Sequence, residues 1–344
     1  MRPYLAMIKI DILLASRDRS VIFFNYLFPL IFFFVFSEMM GASRSGGVSN
    51  VVTMVLTIGI LGNGLWGAGM RAVQEREQNI LRRFKVTPIS PAPILAASMV
   101  TGWLIYIPAV LLICALAHFI YGMAIPERPF SLLGLITLGV FAFRSIGLIL
   151  ASVVNSAQES TIAIQLLYMP MLFLSGATFP VTMLPGWAQV VGQFLPATYL
   201  VTGFQSVFLR REALGQNLPA VAALLLTMAL ALFISIQIFR WEKEEELRPS
   251  ARLWLLAVLS PFVVMGAYQA YSHDQKKKAE LLWRDLMRSD TFVIQGAKIF
   301  TGTGKVIESG AVLVKNGKIE RVYEDASPDF GKGKIEAAPA EGKT

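Results

Sequence analysis

Cysteine, histidine and charge are all scarce in this chain, and each scarcity removes a class of protein. One cysteine, Cys114, in 344 residues excludes a disulfide framework and any cysteine-built zinc or iron–sulfur site. Two histidines, His118 and His273, are too few for a histidine-rich metal centre, so no resident metal or other cofactor is expected in the chain. Charged residues make up 16% of the sequence and hydrophobic residues 55%, whereas soluble domains carry about 25% charge. A single soluble core of this size could not hide so much apolar surface, which excludes an ordinary cytosolic enzyme. The charge is also uneven: residues 1–271 hold 18 Lys and Arg with 12 Asp and Glu, and residues 272–344 hold 13 and 11. Two physical regimes meet near Ser272.

What is present in quantity is long apolar runs. A hydrocarbon layer about 30 Å thick takes about 20 apolar residues of helix, because in lipid every backbone polar group must be satisfied within the segment. Seven such runs lie at 21–40, 51–70, 94–121, 132–154, 161–179, 218–239 and 253–271. The first is too long for a signal-peptide core and has no small-residue cleavage site after it. Pro108 removes a backbone donor from the third, so a kink is expected there. A cytoplasmic N-terminus places 13 Lys and Arg on the inner side and only Arg44, Arg128, Arg210 and Arg211 outside. The same parity carries the seventh run outward and leaves Lys276, Lys277 and Lys278 outside, against the rule.

Ahead of the first run, residues 1–19 place Tyr4, Leu5, Met7, Ile8, Ile12, Leu13 and Leu14 largely on one helical face, and Arg17, Asp18 and Arg19 then interrupt the apolar pattern. An interfacial helix along the inner surface is expected. Behind Ser272, residues 273–289 read as a polar helical spacer. Residues 291–300 and 306–322 alternate as short strands around Gly302, Gly304 and an Asn316-Gly317 turn. Residues 325–344, rich in Gly, Pro, Ala and Lys, are expected to be disordered.

Three places carry the functional signal. The charged insertion 71–93 puts Ile80, Leu81 and Phe84 on one face of a short amphipathic helix surrounded by Glu75, Glu77, Arg82, Arg83 and Lys85. Anionic lipid repels Glu75 and Glu77, so a protein partner on the inner face is a better match than a headgroup surface. Residues 188–208 are too polar for a full span and read as a pair of re-entrant half-helices, entered through the helix breakers Pro180, Pro185 and Gly186 and the interfacial ring of Trp187. Arg144 stands inside the fourth run, where an isolated charge costs about 2.5–3.5 kcal/mol. Two readings of it stay open, a structural hydrogen bond to neighbouring carbonyls or a cavity-facing residue that attracts anionic headgroups and lies on a translocation path.

Glu75-Arg76-Glu77 followed by Leu81, Arg83 and Val86-Thr87-Pro88 resembles the cytoplasmic segment after the second span of type-2 ABC exporter (ABC-2) permeases. Residues 172–204 resemble that family more specifically, with Leu174-Ser175-Gly176, Phe179-Pro180, Leu184-Pro185, Trp187, Pro196 and Tyr199 in order. The likeness covers roughly residues 1–245. It implies an all-α polytopic membrane protein with a six-span permease domain over 20–245 and re-entrant outer half-helices, preceded by the interfacial helix over 1–19; the seventh apolar run adds an extra span and spacer over 246–290. It also implies a permease dimer, homomeric or paired, in the inner membrane, with a separate ABC ATPase subunit that binds ATP and Mg. The ATPase contact would comprise Glu75, Glu77, Ile80, Leu81, Arg82, Arg83 and Phe84, with Gln158 and Glu159 in the 155–160 loop. The outer gate would comprise Ser175, Gly176, Phe179, Pro180, Leu184, Pro185, Trp187, Pro196 and Tyr199.

Leu174-Ser175-Gly176-Ala177 and Gly342-Lys343-Thr344 are not nucleotide sites, since the first ends an apolar run and the second lacks its strand, helix and earlier glycine. No catalytic residue and no nucleic-acid partner is expected. The substrate classes left open are hydrophobic drugs or lipids, which the apolar spans favour, polysaccharide precursors and sodium ions. Residues 291–322 resemble the opening β-sandwich strands of metal-dependent amidohydrolases without their metal motif. On that likeness, 291–344 would be a truncated fragment, and a membrane-anchored amidohydrolase is the rival reading of a different class.

Overall fold

The structure, a computed structural model, describes residues 2–17, 22–39, 47–85, 91–242, 263–272, 277–278, 280–282, 291–301, 306–315, 318–324 and 336–339. Val86-Thr87-Pro88, residues 253–262 of the seventh run, most of the 273–289 spacer and the Asn316-Gly317 turn lie outside these residues.

Helix α1, Arg2–Arg17, precedes a π-helical turn, Phe23–Leu27, and α2, Phe28–Met39. The centre of the molecule is α3, Gly47–Gly62, whose Val51, Val52, Leu56, Ile60 and Leu61 are all 0% exposed. A helix apolar on every face belongs in the middle of a bundle. α3 passes through a π-helical stretch, Asn63–Met70, into α4, Arg71–Glu77, forming one rod from Gly47 to Glu77. The charged insertion therefore begins later than its composition suggests. Arg71 pairs with Glu75 one turn on, which supports the added helix, and the rod stops at Asn79, whose φ of 57° is left-handed. α5, Ile80–Lys85, is the short helix expected there.

α6, Pro91–Tyr121, continues as helix through Pro108. α7, Pro129–Val153, lies against the π-helical stretch and against α11, Leu218–Gln237. Between them come α8, Ala157–Leu174, and the two short helices α9, Gly186–Gly192, and α10, Pro196–Arg210. α8 ends at Leu174, before the expected breakers at Pro180 and Pro185, because Gly176 adopts φ 88° and turns the chain there.

Among the described residues, four helices are long and apolar enough to cross a membrane: Gly47–Glu77, Pro91–Tyr121, Pro129–Val153 and Leu218–Gln237. The seven apolar runs do not all translate into such helices. The first contributes a shorter apolar helix, Asn25–Met39, the helix of the fifth, Ala157–Leu174, includes Gln158, Glu159, Gln165 and Pro170, and the seventh is described only over 263–272.

Those residues 263–272, α12, place Met265 against Tyr199, Ala220 and Ala223. Lys278 then donates to Glu212 Oε2 at 3.2 Å and Asn217 Oδ1 at 2.5 Å. Asn217 is the N-cap of α11, while Arg240, just past its other end, donates to Asn155 Oδ1 at 2.9 Å. Residues 240 and 278 thus sit at opposite ends of a 20-residue helix, about 30 Å apart. Glu212 thus pairs with one of the three lysines, Lys278.

In the tail, β1 Thr291–Phe300, β2 Val306–Lys315 and β3 Lys318–Tyr323 form an antiparallel meander, as the alternation predicts. The ending is not wholly without structure: β4, Glu336–Pro339, pairs in parallel with β1, giving the order β3-β2-β1-β4. The outer edge of β1 offers unpaired backbone donors and acceptors that such a segment satisfies.

Candidate functional site

The end of the bundle that carries the charged insertion is built around the C-terminus of α7. Its last carbonyls have no helical partner and concentrate negative potential, which cationic side chains offset. Arg76, 3% exposed, donates to the carbonyls of Ala151, at 2.8 Å, and Val154. Arg240 reaches the same helix end through the Ser152 carbonyl and the Asn155 side chain. Sequence reading assigns Arg76 no contact; the approach of α4 to α7 turns it inward.

Glu75 and Glu77 also act within the chain. Glu75 accepts from Arg71 Nε at 2.8 Å, and Arg71 donates in turn to Asp11 of α1 at 3.1 Å. Burial pushes the Asp11 carboxyl up, opposed by Arg71 and then by Arg144. Glu77 accepts from the Ala157 amide at 3.1 Å, so it caps α8 together with Ser156, whose hydroxyl accepts from the Glu159 amide. That link ties the α4–α5 turn to the α7–α8 turn. Leu81 is buried and Ile80 half-buried; Arg82, Arg83, Gln158 and Glu159 are exposed. Phe84 lies in α5. The two segments expected to meet a partner thus form one surface whose exposed part is polar.

Arg144 is 5% exposed and makes the hydrogen bonds of the first reading. Nη1 donates to the Asn63 carbonyl at 3.2 Å and to Asn63 Oδ1 at 2.9 Å, and Nη2 donates to Ser98 at 2.9 Å. Asn63 donates onward to Asn25 at 2.9 Å, so the π-helical stretch Asn63–Met70, α6, α7 and the first π-helical turn share one buried polar chain. The same guanidinium lines a cavity of about 160 Å³ beneath α1. Gly102 makes room for it, since a Cβ there would collide with the guanidinium. Asn25 and Asn63 are sites that sequence reasoning missed. The available signal was an asparagine inside an apolar run, where polar groups are costly unless paired.

At the other end, α9 and α10 form the pair of short helices expected after the fifth run. Tyr199, 1% exposed, donates to the Gln193 carbonyl at 2.8 Å, and Thr198 to the Gly192 carbonyl at 2.5 Å, closing the turn between the two helices. Ser175, Gly176, Pro196 and Tyr199 are buried; Pro180 and Leu184 are half-buried; Phe179, Pro185 and Trp187 are exposed. The nine residues of the expected gate therefore separate into a packed inner set and an apolar outer rim.

Comparison with known proteins gives a consistent picture. The family model described as ABC-2 type transporter matches residues 2–209. The transport permease YvfS of Bacillus subtilis (strain 168) is 21% identical over 223 residues, 63% of this chain and 91% of that protein. In Escherichia coli (strain K12), the inner membrane transport permease YhhJ is 26% identical over 167 residues, 48% of this chain and 43% of that protein. The multidrug ABC transporter permease YbhS of the same strain is 23% identical over 175 residues, 51% and 44%. The chain thus spans less than half the length of the two Escherichia coli proteins. The family match stops short of the tail, and none of these comparisons supports its likeness to amidohydrolases.

Proposed function

This chain belongs to the ABC-2 type transporter family, and on that premise we propose that it is the permease half of an exporter that moves a hydrophobic, drug-like or lipid substrate outward. It is an integral membrane transport permease, and its family implies pairing with an ABC ATPase subunit. In the proposed arrangement, that partner binds ATP and Mg below a permease dimer, homomeric or paired. The N-terminus lies in the cytoplasm of a cell whose inner membrane holds the chain. The apolar spans and the multidrug wording of the YbhS name support the substrate class over polysaccharide precursors or sodium. The outer rim of Phe179, Pro185 and Trp187 around buried Tyr199 is the proposed outer gate.

The observation that carries the reading is the Glu77 link to Ala157, which unites α5 and the start of α8 into one polar surface. Arg82, Arg83, Gln158 and Glu159 are its exposed members. Glu75 and Glu77 support that surface from within, so charge reversal there would disturb packing as well as contact. Arg82→Glu with Arg83→Glu is the cleaner test, because Arg82 meets Glu242 only loosely, at 3.7 Å, from a side chain that is mostly exposed. With the cognate ATPase co-expressed, the double variant is expected to insert normally and to lose about tenfold or more of transport-coupled ATPase activity, as truncated hot-spot charges at interfaces do. Unchanged coupling overturns the contact assignment.

The reading also sets the side of the tail. A cysteine at exposed Ser309, with Cys114 replaced by serine, is expected to react with an impermeant maleimide on intact cells. Reaction only after the membrane is broken would place the tail with the N-terminus and remove the seventh crossing.

A further inference from the structure

α12 has two unlike faces. Val263, Val264, Tyr268 and Tyr271 are exposed, an apolar and aromatic face suited to lipid, whereas Gly266 and Gln269, one turn apart, are buried and Met265 is half-buried beside them. The buried face rests on the outer half-helix pair. A Cβ at Gly266 would collide with the Phe194 ring, so the missing side chain is what seats α12 on the turn between α9 and α10. Met265 packs against Tyr199 of α10 and against Ala220 and Ala223 of α11. Farther along, Lys278 donates to Glu212 and Asn217, in the connection between α10 and α11. The turn before α10, α10 itself and the loop after it are therefore all held by one segment that also grips α11. The seam is closed at a cost. Gln193, next to Phe194, and Gln269 each bury a side-chain oxygen with no hydrogen-bond partner among the described residues, which contact with water would relieve.

We propose that α12 with Lys278 is a strap across the outer half-helix pair: closed as here, it pins α10 to α11, and it has to release Phe194 and Tyr199 before the pair can part from the bundle. A helix that only anchored the tail would need no seat on the turn at Phe194. The strap lies beyond the family match, which ends at residue 209, so it is a control added to the matched unit. Holding the pair closed is a property of this chain alone. The effect of the strap on outward passage rests on the export reading and on the proposed outer gate.

The first measurement uses the full chain without any ATPase, in phosphatidylcholine nanodiscs, and follows amide hydrogen exchange. Gly266→Leu, which drives Phe194 off the strap, is expected to speed exchange over residues 193–199 at least tenfold while α7 exchanges as before. Lys278→Ala, at the far anchor and outside the packed seam, is expected to speed it about threefold, the size of an exposed ion pair. With Cys114 replaced by serine, Phe194→Cys with Gly266→Cys should close a disulfide under copper phenanthroline. A Cβ at 266 would meet Phe194 Cγ, and disulfide Cβ atoms stand about 3.5–4.5 Å apart. Unchanged exchange in either variant, or no disulfide, overturns the strap; if Gly266→Leu does not fold, Lys278→Ala and the disulfide decide. The second measurement adds the cognate ATPase. The oxidised cysteine pair is expected to lose at least tenfold of permease-stimulated ATP hydrolysis and to regain it with dithiothreitol, with oxidised Cys114→Ser protein as the control. Full stimulation by the oxidised pair would show that the half-helices never leave α12 and would overturn the proposal. If the reduced protein stimulates no hydrolysis, the permease reading fails, and exchange and disulfide closure still decide the strap.

Discussion

Gly147→Val is expected to abolish accumulation of folded protein, and Gly147→Ala to lower the thermal midpoint by on the order of 10 °C. α7 and the π-helical stretch meet backbone to backbone: a Cβ at Gly147 would collide with the Gly64 carbonyl oxygen and approach the Gly69 amide nitrogen at 3.1 Å. From the other side, a Cβ at Gly64 would stand 2.5 Å from the Phe143 carbonyl carbon. The obstacles are backbone atoms, so no rotamer change relieves them, and the two helices would have to separate. Close approach of this kind is how helices associate in lipid, where apolar surface gains little from leaving the solvent. Gly62 is the control. A Cβ added there would have nothing within 4 Å, and the residue lies in helical backbone at φ −62°. Gly62→Ala is therefore expected to be neutral or to stabilise by about 0.5–1 kcal/mol from helix propensity alone. Thermal aggregation midpoints of Gly62→Ala and Gly147→Ala in one detergent, with the folded yield of Gly147→Val, decide the matter. Equal losses at 62 and 147 would show that the close contact is not there.

Arg76→Met is expected to cost about 3 kcal/mol, seen as a lower thermal midpoint and faster proteolysis between α7 and α8. Methionine preserves most of the side-chain length but leaves the Ala151 and Val154 carbonyls without their charged donors inside the protein. Arg76→Lys should recover only part, because one ammonium cannot fork to two carbonyls as a guanidinium does. If Arg76 were a solvated charge facing the cytoplasm, both substitutions would sit within about 0.5 kcal/mol of the parent protein. That outcome would show that the two carbonyl contacts are not there.

Much of the candidate site was legible residue by residue. Ile80 and Leu81 stand four and three residues before Phe84, so the three fall on one helical side, and Leu81 is buried and Ile80 half-buried. The half-helices α9 and α10 follow from Pro185, Gly186 and Pro196 at their starts. The strands of the tail follow from period-two alternation. Less legible was where helices stop. α8 ends on the backbone angle of Gly176, and the rod from Gly47 continues past Arg71 because Arg76 and Glu77 find partners on α7 and α8, far away in sequence.

Composition and local pattern were enough to establish that this is a membrane protein, where its charged and half-helical segments lie and that it resembles ABC-2 permeases. These are properties of residue content, local period and local motif, which need no knowledge of neighbours. What Glu75, Arg76, Glu77 and Arg144 do became visible only once the helices were packed. A charge is equally at home in water or on a buried partner, and which of these it meets depends on contacts 75 or more residues away, as Arg76 finds at Ala151 and Arg144 at Asn63. In a low-dielectric interior such a contact outweighs any local preference, so the same residue type becomes a helix cap, an ion-pair relay or the floor of a cavity according to packing alone.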